Sequence, residues 1–270
     1  MFKQFTPYIF AARNALAERP GFVPCGPSQP LSVGFVPHSN GAPLIAGIEL
    51  FTIERKVVPT PVVKRAAELA CDKIQSETGR RPKGKHLKEI KEGIVHELLA
   101  KAFPKRKTVP LLWLDGFLLV GSTSSSECDL IMTELSLLDD SLKLGVVQTE
   151  ADPTLALTEW ARFPGEAPFA VGHDLTVLLQ SGGKGTFKSS NVDDPEVVKA
   201  LDGGTVTSLA LTSTRDVSFT LTELLQVKKL AVGGTDGSGD HADAASADCA
   251  LHRGELSALM TELMEALNAA

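Results

Sequence analysis

The chain has 270 residues, 43% of them apolar and 22% charged, with a formal net charge of −6. This is a globular composition, large enough for one to three domains with a buried core, which excludes a disordered chain. No apolar run approaches the roughly 18 residues of a bilayer-crossing helix. The start, “MFKQFTPYIFAARNALAERPG”, has too short an apolar core for a secretory signal, so a cytoplasmic protein is expected.

The first 58 residues alternate short apolar runs with Pro and Gly clusters, and “FKQFTPYIF”, “LSVGFVP” and “PLIAGIELFTIERKVV” predict strands. In “TPVVKRAAELACDKIQSETG”, Thr60 as N-cap, Pro61 at the first helical position and Gly79 past the end frame a helix, with Cys71 on its core side. A second helix from Lys85 to Ala102 puts Leu87, Ile90, Ile94, Leu98 and Leu99 on one stripe and leaves Lys85, Lys88, Glu89 and Glu92 outward. With the connection “GRRPKG” these make a helical hairpin. “TVPLLWLDGFLLVGS” reads as two strands around the turn pair Asp115-Gly116, and “SSECDLIMTELSLLDDSL” as a serine-capped helix.

Short elements follow: “LGVVQTE”, a helical “DPTLALTEWARF”, then “DLTVLLQS” and “GTFKSS”, a short helix near “DDPEVVKAL”, and “TVTSLALT”, “VSFTLTE” and “LQVKKLAV” as a meander. After “GGTDGSGDHADAASAD”, Leu256, Leu259, Met260, Leu263, Met264 and Leu267 recur at helical spacing. The expected division is a central α+β region over residues 1–58 and 108–150 and a basic helical hairpin, or tip, over 59–107. A β-meander base region over 151–232, a flexible linker over 233–248 and a C-terminal helix over 249–270 complete it.

Charge is segregated along this order. Between Arg55 and Lys107 stand 15 Lys and Arg against 6 Asp and Glu, net +9, which leaves 12 against 27, net −15, for the other 217 residues. A local basic field of that size attracts a polyanion even from an acidic chain. The alternative reading is a solvated helix face.

Other chemistries lack support. “SGGKGT” places Leu178 where a phosphate loop needs its first glycine, and “DGSGDHAD” places His241 and Ala247 where a calcium loop needs Gly and Glu. Cys25, Cys71, Cys128 and Cys249 form no CxxC or CxxH pair, so four reduced thiols are expected, with neither zinc nor a redox motif. No spaced histidine pair suggests a zincin helix, and Asp139-Asp140 and Asp193-Asp194 read as helix-end and cap residues. No cofactor, metal or catalytic residue is expected. Trp113 and Trp160 each sit in an apolar pattern and read as core anchors, and with a single Tyr the chain offers little platform for stacking single strands.

Six segments, taken in order, resemble the recombination-associated RdgC family: “VVPTPVVKRAAE” (57–68), “HELLAKAF” (96–103), “LLWLD” (111–115), “LALTEWAR” (155–162), “VTSLAL” (206–211) and “GELSALMTELMEAL” (254–267). “PTPVVK” and “LTEWAR” are the most specific of them. The resemblance covers nearly the whole chain and implies an α+β fold assembling as a ring-shaped homodimer. It also implies a non-enzymatic, nucleoid-associated protein that binds double-stranded DNA without sequence preference and limits recombinase filament assembly. The chain departs from the family in a reduced “RNALAERPG”, in “GGTDGSGD”, and in Ser208, where family members often carry Lys.

The expected phosphate contacts are Arg80, Arg81, Lys83, Lys85, Lys88, Lys91, Lys101, Lys105, Arg106 and Lys107, joined by Lys188, Lys228 and Lys229 in the cation-poor second half. Phe103, between “HELLAKA” and “PKRK”, is either a satellite core residue or an anchor of the dimer interface. A competing hypothesis has the acidic remainder hold a recombinase directly, with the basic hairpin merely solvated.

Overall fold

The apolar runs between Pro and Gly clusters in the first 56 residues fold as β1 (Thr6–Ala11), β2 (Leu31–Val36) and β3 (Ile48–Lys56). These belong to a computed structural model that describes residues 2–11, 19–39, 41–233 and 242–268. The chain forms two units, one of Met1–Glu18, Pro37–Leu50 and Pro110–Ala270, the other of Arg19–Val36 and Phe51–Val109. The division therefore falls inside β3 and inside β4 (Pro104–Trp113).

In the larger unit the end of β4, β5 (Phe117–Val120), β1 and β6 (Lys143–Val146) lie side by side in that order, all antiparallel. Asp115-Gly116 turns the chain as expected: Gly116 is left-handed at φ 79°, and Leu114 N–H donates to Phe117 O at 2.8 Å. Helix α3 (Ser125–Leu138) buries Cys128, Ile131 and Leu135; Ser124 is its N-cap by position, but its side chain makes no capping bond.

The same unit holds an antiparallel sheet in the order β11-β10-β9-β7-β8, built from β7 (Ala170–Leu178), β8 (Lys184–Phe187), β9 (Thr205–Thr212), β10 (Ser218–Thr222) and β11 (Val227–Ala231). Two helices of this region are α4 (Pro153–Arg162), capped by Asp152 accepting Thr154 N–H at 2.7 Å, and α5 (Pro195–Leu201). That bond, made to the ionised carboxylate, holds Asp152 below the usual carboxyl range. Trp160 is buried and meets Phe169 edge-on at 5.7 Å, and Phe169 meets Phe219 at 5.6 Å, so Trp160 is a core anchor. Trp113 is half-buried, with its indole N–H on Glu49 at 3.1 Å.

Helix α6 (Ala242–Ala266) packs through Leu256, Leu259, Met260 and Leu263, with Leu267 buried just past its end. It begins before residue 249, so the helix takes in 242–248, which the sequence reading gave to a linker. Residues 234–241, with most of “DGSGDHAD”, lie outside the described residues, as does most of “RNALAERPG”.

In the smaller unit β2, β3 and the start of β4 neighbour one another in that order, beside α1 (Thr60–Thr78) and α2 (Gly84–Lys101). Helix α1 starts one residue earlier than Thr60 as a cap implied. Pro59 O accepts the N–H groups of Val62 and Val63, so Pro59 is the N-cap and Thr60 the first helical residue. Gly79 ends α1 in the left-handed region at φ 71°. Strand β4 opens at Pro104, so Lys105, Arg106 and Lys107 stand on a strand and not on the hairpin itself.

Candidate nucleic-acid interface

The hairpin connection is anchored by one side chain. In “GRRPK”, Pro82 is buried while Arg80, Arg81 and Lys83 are exposed, so the cations project from a fixed turn. Along α2 the 3.6-residue repeat leaves Lys85, Lys88, Lys91 and Lys101 exposed, opposite the half-buried stripe of Leu87, Ile90, Ile94 and Leu98.

These cations are not equivalent. Arg80, Lys83, Lys91 and Lys105 make no ion pair among the described residues. Lys85 faces Glu89 at 3.9 Å and Lys88 faces Glu92 at 3.7 Å, one helical turn on, as loose exposed pairs that a phosphate can displace. Lys101 holds Glu97 at 2.7 Å, and the hydrogen bond from that ammonium keeps the Glu97 carboxyl below its usual range. Arg81 reaches across to α1, at 2.7 Å from Asp72 and 3.3 Å from Gln75 Oε1. Lys107 is exposed on β4.

Arg106 is paired, although its side chain stays 52% exposed. Its Nη2 and Nε lie 2.8 and 2.9 Å from the buried Glu54 carboxylate, and its guanidinium sits 4.7 Å from the Phe22 ring centroid. Glu54 also accepts the Cys25 N–H at 2.7 Å, and this bond, ahead of Arg106, holds its carboxyl below the usual range. Phe103 is 93% exposed, which removes the satellite-core reading and leaves a bare aromatic ring beside the cations.

In the larger unit Lys188, Lys228 and Lys229 gather at the sheet of β7 to β11. Lys229 Nζ is 2.6 Å from Asp174 Oδ2, and Asp174 Oδ1 accepts Ser189 N–H at 3.1 Å; both hydrogen bonds, Lys229 first, lower the Asp174 pKa. Sequence reasoning found the cations but missed their partners. Helix spacing could have flagged Glu89, Glu92 and Glu97, whereas Asp72 is brought close by the hairpin turn, Glu54 by the neighbouring of β3 and β4, and Asp174 by the fold of the β7 to β11 sheet as a whole. Among the described residues no group of three or more His, Cys, Asp or Glu could hold a metal ion, and no helix is long and apolar enough to cross a membrane.

Comparison with known proteins places this geometry in context. A family model described as “Putative exonuclease, RdgC” matches residues 3–270. The Recombination-associated protein RdgC of Dechloromonas aromatica is 30% identical over 272 residues, covering 93% of this chain and 89% of that one. Its counterpart in Bordetella parapertussis is 31% identical over 257 residues, covering 87% and 85%. That of Janthinobacterium sp. is 28% identical over 285 residues, covering 97% and 93%.

Proposed function

This chain belongs to the RdgC family, and from that premise we propose that it is a sequence-nonspecific double-stranded DNA-binding protein that limits recombinase filament assembly of the RecA type. The observation that carries the reading is the net +9 between Arg55 and Lys107, displayed by exposed side chains of which Arg80, Lys83, Lys91 and Lys105 have no intramolecular ion pair among the described residues. Lysine and arginine on an exposed surface neutralise phosphates and release counterions, a sequence-blind mode. Duplex is favoured over single strands because Trp160 and Tyr8 are buried and Trp113 is tied to Glu49, which leaves the bases few rings to stack on.

In this proposal two copies close a ring around the duplex, which requires two different self-complementary surfaces on one two-fold axis. The bare Phe103 ring anchors one of them. Lys188, Lys228 and Lys229 extend the phosphate contacts into the larger unit, and the protein is cytoplasmic and nucleoid-associated. It acts by occupying DNA and has no hydrolytic chemistry of its own.

Titration of random-sequence duplex at several salt concentrations tests the DNA contact. Replacing Arg80, Arg81, Lys83 and Lys85 by Ala is expected to weaken binding equally across sequences and to flatten the salt slope by roughly 0.9 per lost contact. An unchanged slope rejects the hairpin as the contact surface. Plasmid and linear DNA incubated with magnesium or manganese should stay intact. In strand exchange the protein should inhibit, and excess duplex added first should relieve the inhibition. Inhibition that follows recombinase concentration and survives the quadruple change would establish direct contact instead.

A further inference from the structure

The sheet of β7 to β11 carries hydroxyls in register on one face. Thr186 lies opposite Thr176, Thr176 opposite Ser208, and Ser208 opposite Thr222, so four strands contribute one row. Two residues from Thr222, and so on the same face, Thr220 lies opposite Lys228. Thr176, Thr186, Ser208, Thr220 and Lys228 all line one cavity of about 370 Å³.

Three features give that cavity a chemical preference. The β10–β11 register shifts between Ser218 and Thr220, and Lys229 is left-handed at φ 50°; a bulge of this kind re-aims side chains, and Lys228 and Lys229 both reach the cavity wall. Asp174, the one carboxylate on that wall among the described residues, is already met by Lys229 at 2.6 Å and by Ser189 N–H at 3.1 Å. Lys188 and Lys228 therefore remain as uncompensated charge. Finally, Thr220 is 8% exposed and its Oγ1 has no hydrogen-bond partner among the described residues, a costly state for a buried hydroxyl. Ammonium groups and hydroxyl donors converging without a free carboxylate suit an oxyanion and disfavour a cation.

We propose that this cavity binds a phosphoryl oxyanion, with Lys188 and Lys228 supplying charge and the Thr220 and Ser208 hydroxyls donating hydrogen bonds. The bound oxyanion gives the Thr220 hydroxyl the partner it lacks. Free phosphate and a nucleic-acid phosphodiester share this chemistry, and only the second source rests on the DNA-binding reading above.

The test compares the thermal unfolding midpoint of the whole protein in inorganic phosphate with that in chloride at equal ionic strength. Wild type should show a saturable rise specific to phosphate. Thr220→Val, which removes Oγ1 at nearly constant shape, should fold at least as stably in chloride and lose about tenfold in phosphate affinity, as expected for a hydrogen bond to a charged group. Lys228→Gln should lose a similar factor. A wild type that responds equally to both anions, or a Thr220→Val protein with undiminished phosphate response, overturns the proposal. Duplex titration then separates the sources. If the group is a phosphodiester, Lys228→Gln flattens the salt slope by roughly 0.9 and Thr220→Val weakens duplex binding with the slope unchanged. If both bind duplex as wild type does while losing the phosphate response, the ligand is free phosphate. An Arg80→Ala, Lys83→Ala protein should keep the full phosphate response, so loss of the hairpin contact and loss of this site are read independently.

Discussion

The hairpin and the larger unit treat apolar surface in opposite ways. Helices α1 and α2, 19 and 18 residues long, bury only Ala67, Cys71 and Leu99, whereas the ten-residue α4 buries Ala156, Leu157, Thr158, Trp160 and Ala161. The charge divides along the same line, net +9 between Arg55 and Lys107 against −15 elsewhere. A helix pair that seals little surface leaves most of its circumference for other contacts, while the larger unit carries the core. Stability and charge display are thus assigned to different stretches of one chain.

The sharpest way to break that comparison is to delete methylenes in each region. Leu157 is fully buried, and Leu157→Ala should cost about 3 kcal/mol, whereas Ile90→Ala on the half-buried stripe of α2 should cost about 1 kcal/mol, because the penalty follows the burial lost and the cavity left. Urea titrations of the two variants check this. Equal costs would mean that the hairpin stripe is covered as completely as the core.

A smaller effect separates cations that look alike in sequence. Arg80→Ala should flatten the duplex salt slope by roughly 0.9 and leave the unfolding midpoint alone, since its side chain has no intramolecular partner among the described residues. Arg106→Ala should do the reverse, lowering the midpoint by stranding the buried Glu54 carboxylate while the slope stays near wild type. If both variants change only the slope, the pairing of Arg106 with Glu54 does not persist in solution.

That contrast marks what the sequence could and could not convey. Strands, helices and the Asp115-Gly116 turn were legible because periodicity and turn chemistry are local. The exposed lysines of α2 followed from helical spacing alone. The partner of Arg106 was not legible, because Glu54 lies 52 residues away and only the neighbouring of β3 and β4 brings them together. Nor was that of Lys229, since Asp174 lies 55 residues away on β7, with β9 and β10 between the two strands in the sheet. The helical start of α6 was missed for another reason: “ADAASAD” reads as a small-residue linker, yet alanine has the highest helix propensity and a long helix propagates through it.

Within the larger unit, pH offers a finer probe. His252 on α6 is buried and stacks on Phe2 at 6.5 Å; burial, outweighing the Phe2 backbone beside the ring, pushes its pKa below the ordinary histidine value. Between that lowered value and about 6.5 the unfolded chain binds a proton that the folded chain refuses, so stability falls as pH drops through this window. His252→Leu should remove that fall. The depressed carboxyls Glu54, Asp174 and Glu255 stabilise the fold above the ordinary carboxylate range and lose that contribution only below about pH 4.5, so they do not obscure the effect. Identical pH profiles for wild type and variant would show that His252 takes up its proton without disturbing α6.

The smallest change in stability is expected at the most conspicuous side chain. Phe103 is 93% exposed, so Phe103→Ser removes almost no packing and should shift the unfolding free energy by no more than about 0.5 kcal/mol. A lone exposed apolar residue is ordinary, but this one stands at the end of α2 beside Lys105, where an aromatic ring finds cover only on another molecule. If it anchors self-association, sedimentation should show the variant dissociating at concentrations where wild type remains dimeric, and duplex binding should weaken with it because a ring that does not close cannot retain DNA. A destabilised Phe103→Ser protein would show that the ring does not stay bare in solution. A variant that is stable, dimeric and fully DNA-binding would leave the cations of the hairpin to act without help from the ring beside them.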